Sequence, residues 1–418
     1  MRLGEGANAE AARWGRPLDG VRVLALEQMQ SLPWATQLMA RLGAEVIKVE
    51  HPVQGESGRG ALPAMADPAG RRVGATFLRN NLNKKSLGLD LKHPVARELL
   101  LRLAPRFDVV AENFKAGALD AMGLGYEAVR AVHPSVIYLS VSGFGSTVPT
   151  PYRDWPAYAA VAEAMSGIYE YSRLPHQPPV INPVGPLGDV GTACIATVGV
   201  LAALLHRART GEGQQLDVAM LDCMVAFCDL VTNFWSMGVR RQGEDKPHPQ
   251  MILDAFRAAD GWFMVQVGRE HQFERLAAIV GCQQWLSDPR LQTRQGWADH
   301  IEDVIRPAVE AWAADKTKLE ACRQLAAAGV AAGPCNKAPD VIADPHVAAR
   351  HMLVECPRTD GVAEPVLVPG NPLKMSKVAD GFDRRVPWLG EHTDEVLSSE
   401  LGLSAAEIAE LRRLGAVG

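Results

Sequence analysis

VRVLALEQMQSLPWATQLMARLGAEVIKVE (residues 21–50) decides the fold class. Residues 21–26 are a short apolar, β-branched run and read as a buried strand. Pro33 to Leu42 reads as a helix, with Pro33 early, where its missing N–H costs nothing, and Gly43 at the C′ position. EVIKVE (45–50) is the next strand. The same alternation continues outward. SLGLDL (86–91), DVVAENF (108–114), VIYLSVSGFG (136–145) and QQLDVAML (214–221) have strand character. Residues 93–106, 126–132, 157–166 and about 189–209 have helical spacing. Short buried strands alternating with helices predict an α/β fold with a parallel, doubly wound, Rossmann-like sheet.

The texture changes after Met237. GVRRQGEDKPHPQ (238–250) reads as a charged linker, and 251–345 as a smaller α+β domain. Residues 1–17 read as a flexible arm, 18–237 as the first part of the large domain, and 346–418 as a proline-punctuated return segment completing it. Ser404, Glu407 and Gly415 mark a final capped helix.

Bulk properties exclude several classes. A net charge of −5 gives no basic face for nucleic acid. Seven scattered cysteines without a CxxC pair fit reduced thiols in the cytoplasm. The eleven histidines form no HExxH, so no metal site is expected. The apolar run Val190 to Leu205 is too short to span a bilayer, so no membrane partner is expected and a buried helix is. GxxxxGK[ST] is absent, GLGYEA (123–128) does not directly follow a strand, and GFGSTV (143–148) is followed by Pro149 and Pro151 instead of a helix. Neither string has the setting of a nicotinamide site.

The chemistry is concentrated in GPLGDVGTACIATVGVLAALLHRARTGEGQQLDVAMLD (185–222). Asp189 stands at the start of a long apolar helix. By itself it reads as an N-cap. Its setting, Gly188 before it, Gly191 after it and RTGEGQ (209–214) closing the helix, sets it apart from a plain N-cap. With LGAEVIKVEHP (42–52), NKKSLGLDLK (83–92), DVVAENFKAGALDAMGLG (108–125), SVSGFG (140–145) and LGEHTDEVL (389–397), the chain resembles the family III CoA-transferases, the CaiB/BaiF type, from Pro17 to its end.

The resemblance implies an interlocked homodimer and a catalytic aspartate at Asp189. It implies coenzyme A and acyl-CoA as substrates, with a small organic acid as acceptor and neither metal nor nicotinamide. Asp189 would attack the donor thioester to give a mixed anhydride and then an aspartyl-CoA thioester, and the acceptor carboxylate would reverse the sequence. A carboxylate is ionised at neutral pH and needs no general base. Met29 and Gln30 match the family's loop near CoA and the aspartate. Leu89 and Lys92 match positions near adenine and phosphates, Asn113 and Phe114 the segment beside pantetheine, and Met220 an apolar wall. His51 stands where relatives carry a basic residue or proline. Ala121 replaces an arginine for the 3′-phosphate, so Arg59, Lys84 and Lys85 become phosphate candidates as point charges. Backbone N–H groups at Gly143, Phe144 and Gly145, or at the helix start, are candidates for holding the oxyanion. Glu163 is a candidate for facing the site.

Two other readings bind CoA without transferring it. Racemases of the same fold use a His–Asp pair, and where they carry that histidine this chain has Ala157-Tyr158-Ala159. A non-catalytic CoA scaffold lacks any need for a nucleophile.

Overall fold

In the computed structural model, residues 1–171, 173, 176–181, 185–238 and 250–418 are described. The residues read as a linker fall almost wholly outside them. The chain divides into two compact units. The first comprises Met1–Tyr171, Pro179–Gly238 and Ala348–Gly418; the second comprises Ser172–Pro178 and Val239–Val347.

The first unit is built on a six-stranded sheet whose neighbours all pair in parallel. Its strands are β1 (Arg22–Leu26), β2 (Glu45–Glu50), β3 (Lys85–Gly88), β4 (Val109–Glu112), β5 (Ile137–Ser142) and β6 (Gln214–Ala219). Their spatial order is β3-β2-β1-β4-β5-β6, reversing direction between β1 and β4. Alternate residues of one strand feed two separate cores. Leu24 and Leu26 join Leu99, Leu103 and Phe107 on one face. Val23 and Ala25 join Leu32, Met39, Ala193 and Val200 on the other. That double burial is why the strands lack polar alternation.

The helices that matter for the site are α1 (Ser31–Arg41), α2 (Ala75–Asn80), α3 (Ala159–Met165) and α4 (Leu187–Thr210). Helix α4 is long and apolar enough to cross a membrane by length and composition. Ala193, Ala196 and Val200 are nevertheless buried in the sheet core, so one side of it is a core face.

The second unit has a three-stranded antiparallel sheet of Ile252–Ala258, Gly261–Val267 and Ala331–Pro334. Its core stacks Phe273 on Trp297 at 4.5 Å between centroids.

The N-terminal arm corrects the expectation of a frayed segment. Gly6–Ala7 pairs antiparallel with Asp380–Gly381. The Glu355 N–H donates to the Met1 carbonyl at 2.8 Å, and Ala11 is buried. A polar composition hid these backbone pairings with a segment over 300 positions away in the chain.

The unexpected feature is a charged cluster inside the first unit. Lys84 is fully buried, and its three N–H donors meet Glu27 Oε1 at 2.6 Å, the Pro33 carbonyl at 2.8 Å and Asn81 Oδ1 at 2.9 Å. Lys48, also fully buried, donates to the Glu27 carbonyl at 3.0 Å and lies 3.9 Å from Glu56 Oε1. Arg59 grips Glu50 through two bonds of 2.6 Å and stacks on Phe77. Burial drives the Glu27 carboxyl upward, but Lys84 and Lys48 outweigh it and hold it below the usual range. Removing one partner of such a pair strands the other charge. Lys84→Met is therefore expected to cost about 3–5 kcal/mol in urea unfolding. Lys85→Met, at a half-exposed site, is expected to cost under about 1 kcal/mol. Equal costs would mean that the buried cluster is not a structural keystone.

Candidate active site

Parallel pairing brings the C-terminal ends of the strands to one edge, and a ligand crevice forms where the order reverses. Here that point lies between β1 and β4. The Asn113 amide bridges it, accepting the Gln28 N–H at 2.9 Å and donating to the Gln28 carbonyl at 2.9 Å. Met29 follows with φ of 61°, a left-handed conformation uncommon outside glycine. Its N–H is held by Glu56 Oε2 at 3.0 Å. Glu56 belongs to the buried charge cluster, so the cluster sets the loop that leads into α1.

Asp189 is the third residue of α4. Pro186, not Asp189, occupies the N-cap, with no side-chain cap. The Gly188 N–H donates to Glu163 Oε1 at 2.8 Å, and the Asp189 and Val190 N–H groups turn to the Pro186 carbonyl at 3.1 and 3.0 Å. Glu163 is buried, and its second oxygen accepts the Tyr169 hydroxyl. A side chain on Gly188 would meet the Ala159 backbone at 2.9 Å, which explains the glycine before the aspartate. Helix starts usually stabilise a carboxylate through free N–H groups. These N–H groups are already engaged, and among the described residues none donates a hydrogen bond to the Asp189 carboxylate. Burial, and then the Glu163 charge, raise its pKa to about 6, with Arg79 pulling it down.

Arg79 leaves the end of α2. Its Nη1 donates to Gln30 Oε1 at 3.0 Å. Its carbonyl accepts from Gln37 Nε2 at 2.8 Å. Sequence reading passed over Arg79 because one arginine in a short helix carries no pattern; its electrostatic pull on Asp189 distinguishes it.

Of the residues expected at the site, most follow the C-terminal end of a strand. Met29 and Gln30 follow β1, His51 follows β2, and Leu89 and Lys92 follow β3. Asn113 and Phe114 follow β4, Gly143 to Gly145 follow β5, and Met220 follows β6. His51 Nδ1 accepts the Val53 and Gln54 N–H groups at 3.2 Å, so it closes a turn. Leu89 is buried in the core and its N–H donates to the Glu50 carbonyl at 2.8 Å, whereas Lys92 is exposed. Phe144 is buried among Tyr152 and Trp155. Met220 packs with Ala162, Cys223 and Met224 against Leu187, in the turn that carries Asp189.

Three expectations are corrected. Arg59 and Lys84 are not phosphate ligands, because their charges are consumed by Glu50 and Glu27 in the interior. Lys85 begins β3, at the opposite end of the sheet, and lies between Glu45 and Glu395 at 2.8 Å each. The oxyanion candidates also narrow. The Gly145 N–H donates to Ser142 Oγ at 2.9 Å, and the first-turn N–H groups of α4 are engaged as above. Glycine and lysine patterns do not reveal which donors a fold has already used.

A carboxyl whose folded pKa is raised favours the folded state while protonated and loses that advantage as pH rises through about 6. At pH 7.5 ionised Asp189 thus opposes folding by about 2–3 kcal/mol. Asp189→Asn is expected to be more stable than wild type at pH 7.5 in urea unfolding, with the gain vanishing near pH 4. A pH-independent difference would show that the carboxylate is not desolvated.

Similarity agrees with this geometry. Residues 18–393 match the model of CoA-transferase family III. The chain is 34% identical over 391 residues to a succinate–glutarate CoA-transferase of Agrobacterium fabrum, covering 91% of this chain and 95% of that protein. It is 35% identical over 392 residues to a succinyl-CoA:mesaconate CoA-transferase of Haloarcula hispanica, with coverage of 91% and 95%. The crystal structure of a CaiB/BaiF family protein from Brucella suis superposes with a TM-score of 0.79 at 31% identity, covering 92% of this chain and 99% of that one. A strand order reversing beside a bridged loop, a partly buried aspartate that accepts no hydrogen bond from a described residue, and likeness along nearly the whole chain converge: this chain belongs to CoA-transferase family III.

Proposed function

We propose that this enzyme moves coenzyme A from an acyl-CoA donor to an organic carboxylate through covalent intermediates on Asp189. The observation that carries the reading is the state of that carboxylate: partly buried, unpaired, and accepting no hydrogen bond from a described residue. The Asp189 carboxylate adds to the thioester carbonyl, the C–S bond breaks, and CoA leaves as thiolate. The mixed anhydride is attacked at its aspartyl carbonyl by that thiolate, which releases the donor acid and leaves aspartyl-CoA. The acceptor carboxylate attacks this thioester, and the freed thiolate attacks the acceptor carbonyl of the new anhydride. The acceptor leaves as its CoA thioester and the Asp189 carboxylate is restored. No proton is transferred, so these steps need no histidine base. At the position where racemases carry one, Tyr158 is exposed.

Poor solvation is what makes a weak nucleophile reactive, and CoA binding energy away from the thioester offsets the cost of that desolvation. The pantetheine arm would run along the crevice edge formed by Met29, Gln30, Asn113 and Phe114. Lys92 is the exposed cation of the expected set that is open to a phosphate. The acids named for the relatives, succinate, glutarate and mesaconate, make short dicarboxylates the first substrates to test.

The enzyme acts as a homodimer in this reading. The outer side of α4 exposes Ile195, Val198 and Leu205, a row that water does not favour and a second copy would cover. The cysteines are all unpaired, in keeping with the cytoplasm.

Asp189→Ala is expected to lower CoA exchange between succinyl-CoA and an acceptor acid at least about 1,000-fold. Wild type quenched with hydroxylamine during turnover should yield an Asp189 hydroxamate by peptide mass analysis. Undiminished exchange in the alanine variant would remove the nucleophile from the mechanism. For wild type, kcat/KM is expected to fall on the acid side of about pH 6, following protonation of Asp189.

A further inference from the structure

Asp217, near the end of β6, commits a full charge to one loop. Its Oδ2 accepts the Ser146 N–H at 2.9 Å, the Thr147 N–H at 2.8 Å and the Thr147 hydroxyl at 2.6 Å. Its Oδ1 accepts the Ser146 hydroxyl at 3.1 Å. Among the described residues no cation pairs with it. Burial pushes its carboxyl upward, but the Thr147 and Ser146 donors outweigh that and hold it below the usual range. A half-buried carboxylate without a counter-charge is a strong device for closing a turn, where a serine or asparagine normally suffices.

The loop it holds, residues 143–147, follows the C-terminal end of β5. The N–H groups of this loop divide into two sets. The Gly145 N–H goes to Ser142 Oγ at 2.9 Å, and those of Ser146 and Thr147 go to Asp217. The Gly143 and Phe144 N–H groups donate to no described residue, although Phe144 is buried. An N–H left unpaired in a buried residue awaits a partner. Its direction follows from the sheet. The Ile137 N–H points to β4, donating to the Asp108 carbonyl at 3.1 Å. Direction alternates along a strand, and Gly143 lies an even number of positions on, directly after β5. Its N–H therefore turns to the side where Asn113 and Phe114 leave β4, the edge along which the pantetheine arm runs in the transferase reading.

The loop is also packed into the surroundings of Asp189. The Gly143 carbonyl accepts the Leu221 N–H at 3.1 Å, and the neighbouring Met220 packs against Leu187. A side chain on Gly143 would collide with Ala157, and one on Gly188 with the backbone of Ala159. Residues 157–159 are thus wedged between this loop and the residue before Asp189.

Resting on the transferase reading, we propose that Asp217 is a positioning residue, fixing loop 143–147 so that the Gly143 and Phe144 N–H groups meet the reacting acyl-CoA while residues 157–159 seat the Asp189 turn. Asp217 itself touches no reacting atom. The two N–H groups serve the oxygen that gains charge when the thioester or anhydride carbonyl is attacked, so their placement matters to the reaction step more than to substrate binding.

The test measures CoA exchange from succinyl-CoA to glutarate. Asp217→Ala is expected to lower kcat about 100-fold, with KM for succinyl-CoA within about threefold of wild type. The acid limb of its pH profile should stay near pH 6, because Asp189 is untouched. Amide hydrogen exchange should quicken at residues 143–147 and not in the sheet strands. Asp217→Asn keeps one acceptor oxygen and should recover part of the loss. If Asp217→Ala fails to fold by circular dichroism, the double variant Ser146→Ala/Thr147→Val decides. It removes both hydroxyl donors, leaves the carboxylate, and should lower kcat about tenfold. A kcat per folded enzyme within threefold of wild type overturns the proposal, since the contact would then only close a turn. A raised KM with kcat unchanged also overturns it, assigning the N–H pair to substrate binding. So does a displaced acid limb, which would make Asp217 act through the Asp189 charge. Asp189 hydroxamate forming at the wild-type rate in Asp217→Ala defeats this inference and spares the transferase reading. No hydroxamate in wild type defeats both.

Discussion

The buried pairing of Glu27 with Lys84 is the interaction on which the architecture of the site rests. Glu27 immediately follows the first strand of the reversal point, and Lys84 immediately precedes β3. Their bond ties the start of α1 to the opposite edge of the sheet through the Pro33 carbonyl and Asn81. Lys48 and Glu56 extend the cluster to the Met29 N–H. An apolar core could fill the same volume but could not fix a backbone N–H in a left-handed turn. Charged groups can, because in a low-dielectric interior each must find a defined partner.

From that loop the order passes to Gln30, then Arg79, and so to the surroundings of Asp189. A second route reaches the aspartate from the other side. Glu163 occupies the Gly188 N–H and is itself held by Tyr169. Its effect on Asp189 is twofold. It removes a donor that would have quieted the Asp189 carboxylate, and its own charge raises that carboxylate's pKa. The neighbours of Asp189 are firmly bonded, while no described residue donates a hydrogen bond to its carboxylate. In the proposed mechanism, preorganisation of this kind places the cost of desolvation in the fold and not in the reaction step.

Several residues show how far the sequence could be read. β2 is legible from EVIKVE as a strand, yet nothing in those letters says that Lys48 and Glu50 point inward. Lysines 84 and 85 are adjacent and look alike as phosphate ligands, but one is buried against Glu27 and the other lies half-exposed between Glu45 and Glu395. The GFG turn after β5 is visible in sequence, while the spending of the Gly145 N–H on Ser142 is not. Arg79 left no trace at all.

Periodicity and turn chemistry are local, so the sequence by itself determined the six strands, the long helix carrying Asp189, the parallel sheet and the family motifs. Partner choice is not local. Which carboxylate neutralises Lys84, which donor is free at the start of α4, and whether residues 1–17 fray depend on groups brought together from distant parts of the chain. Burial decides these matters, since a charge in water tolerates any neighbour and a charge in the interior requires a specific one.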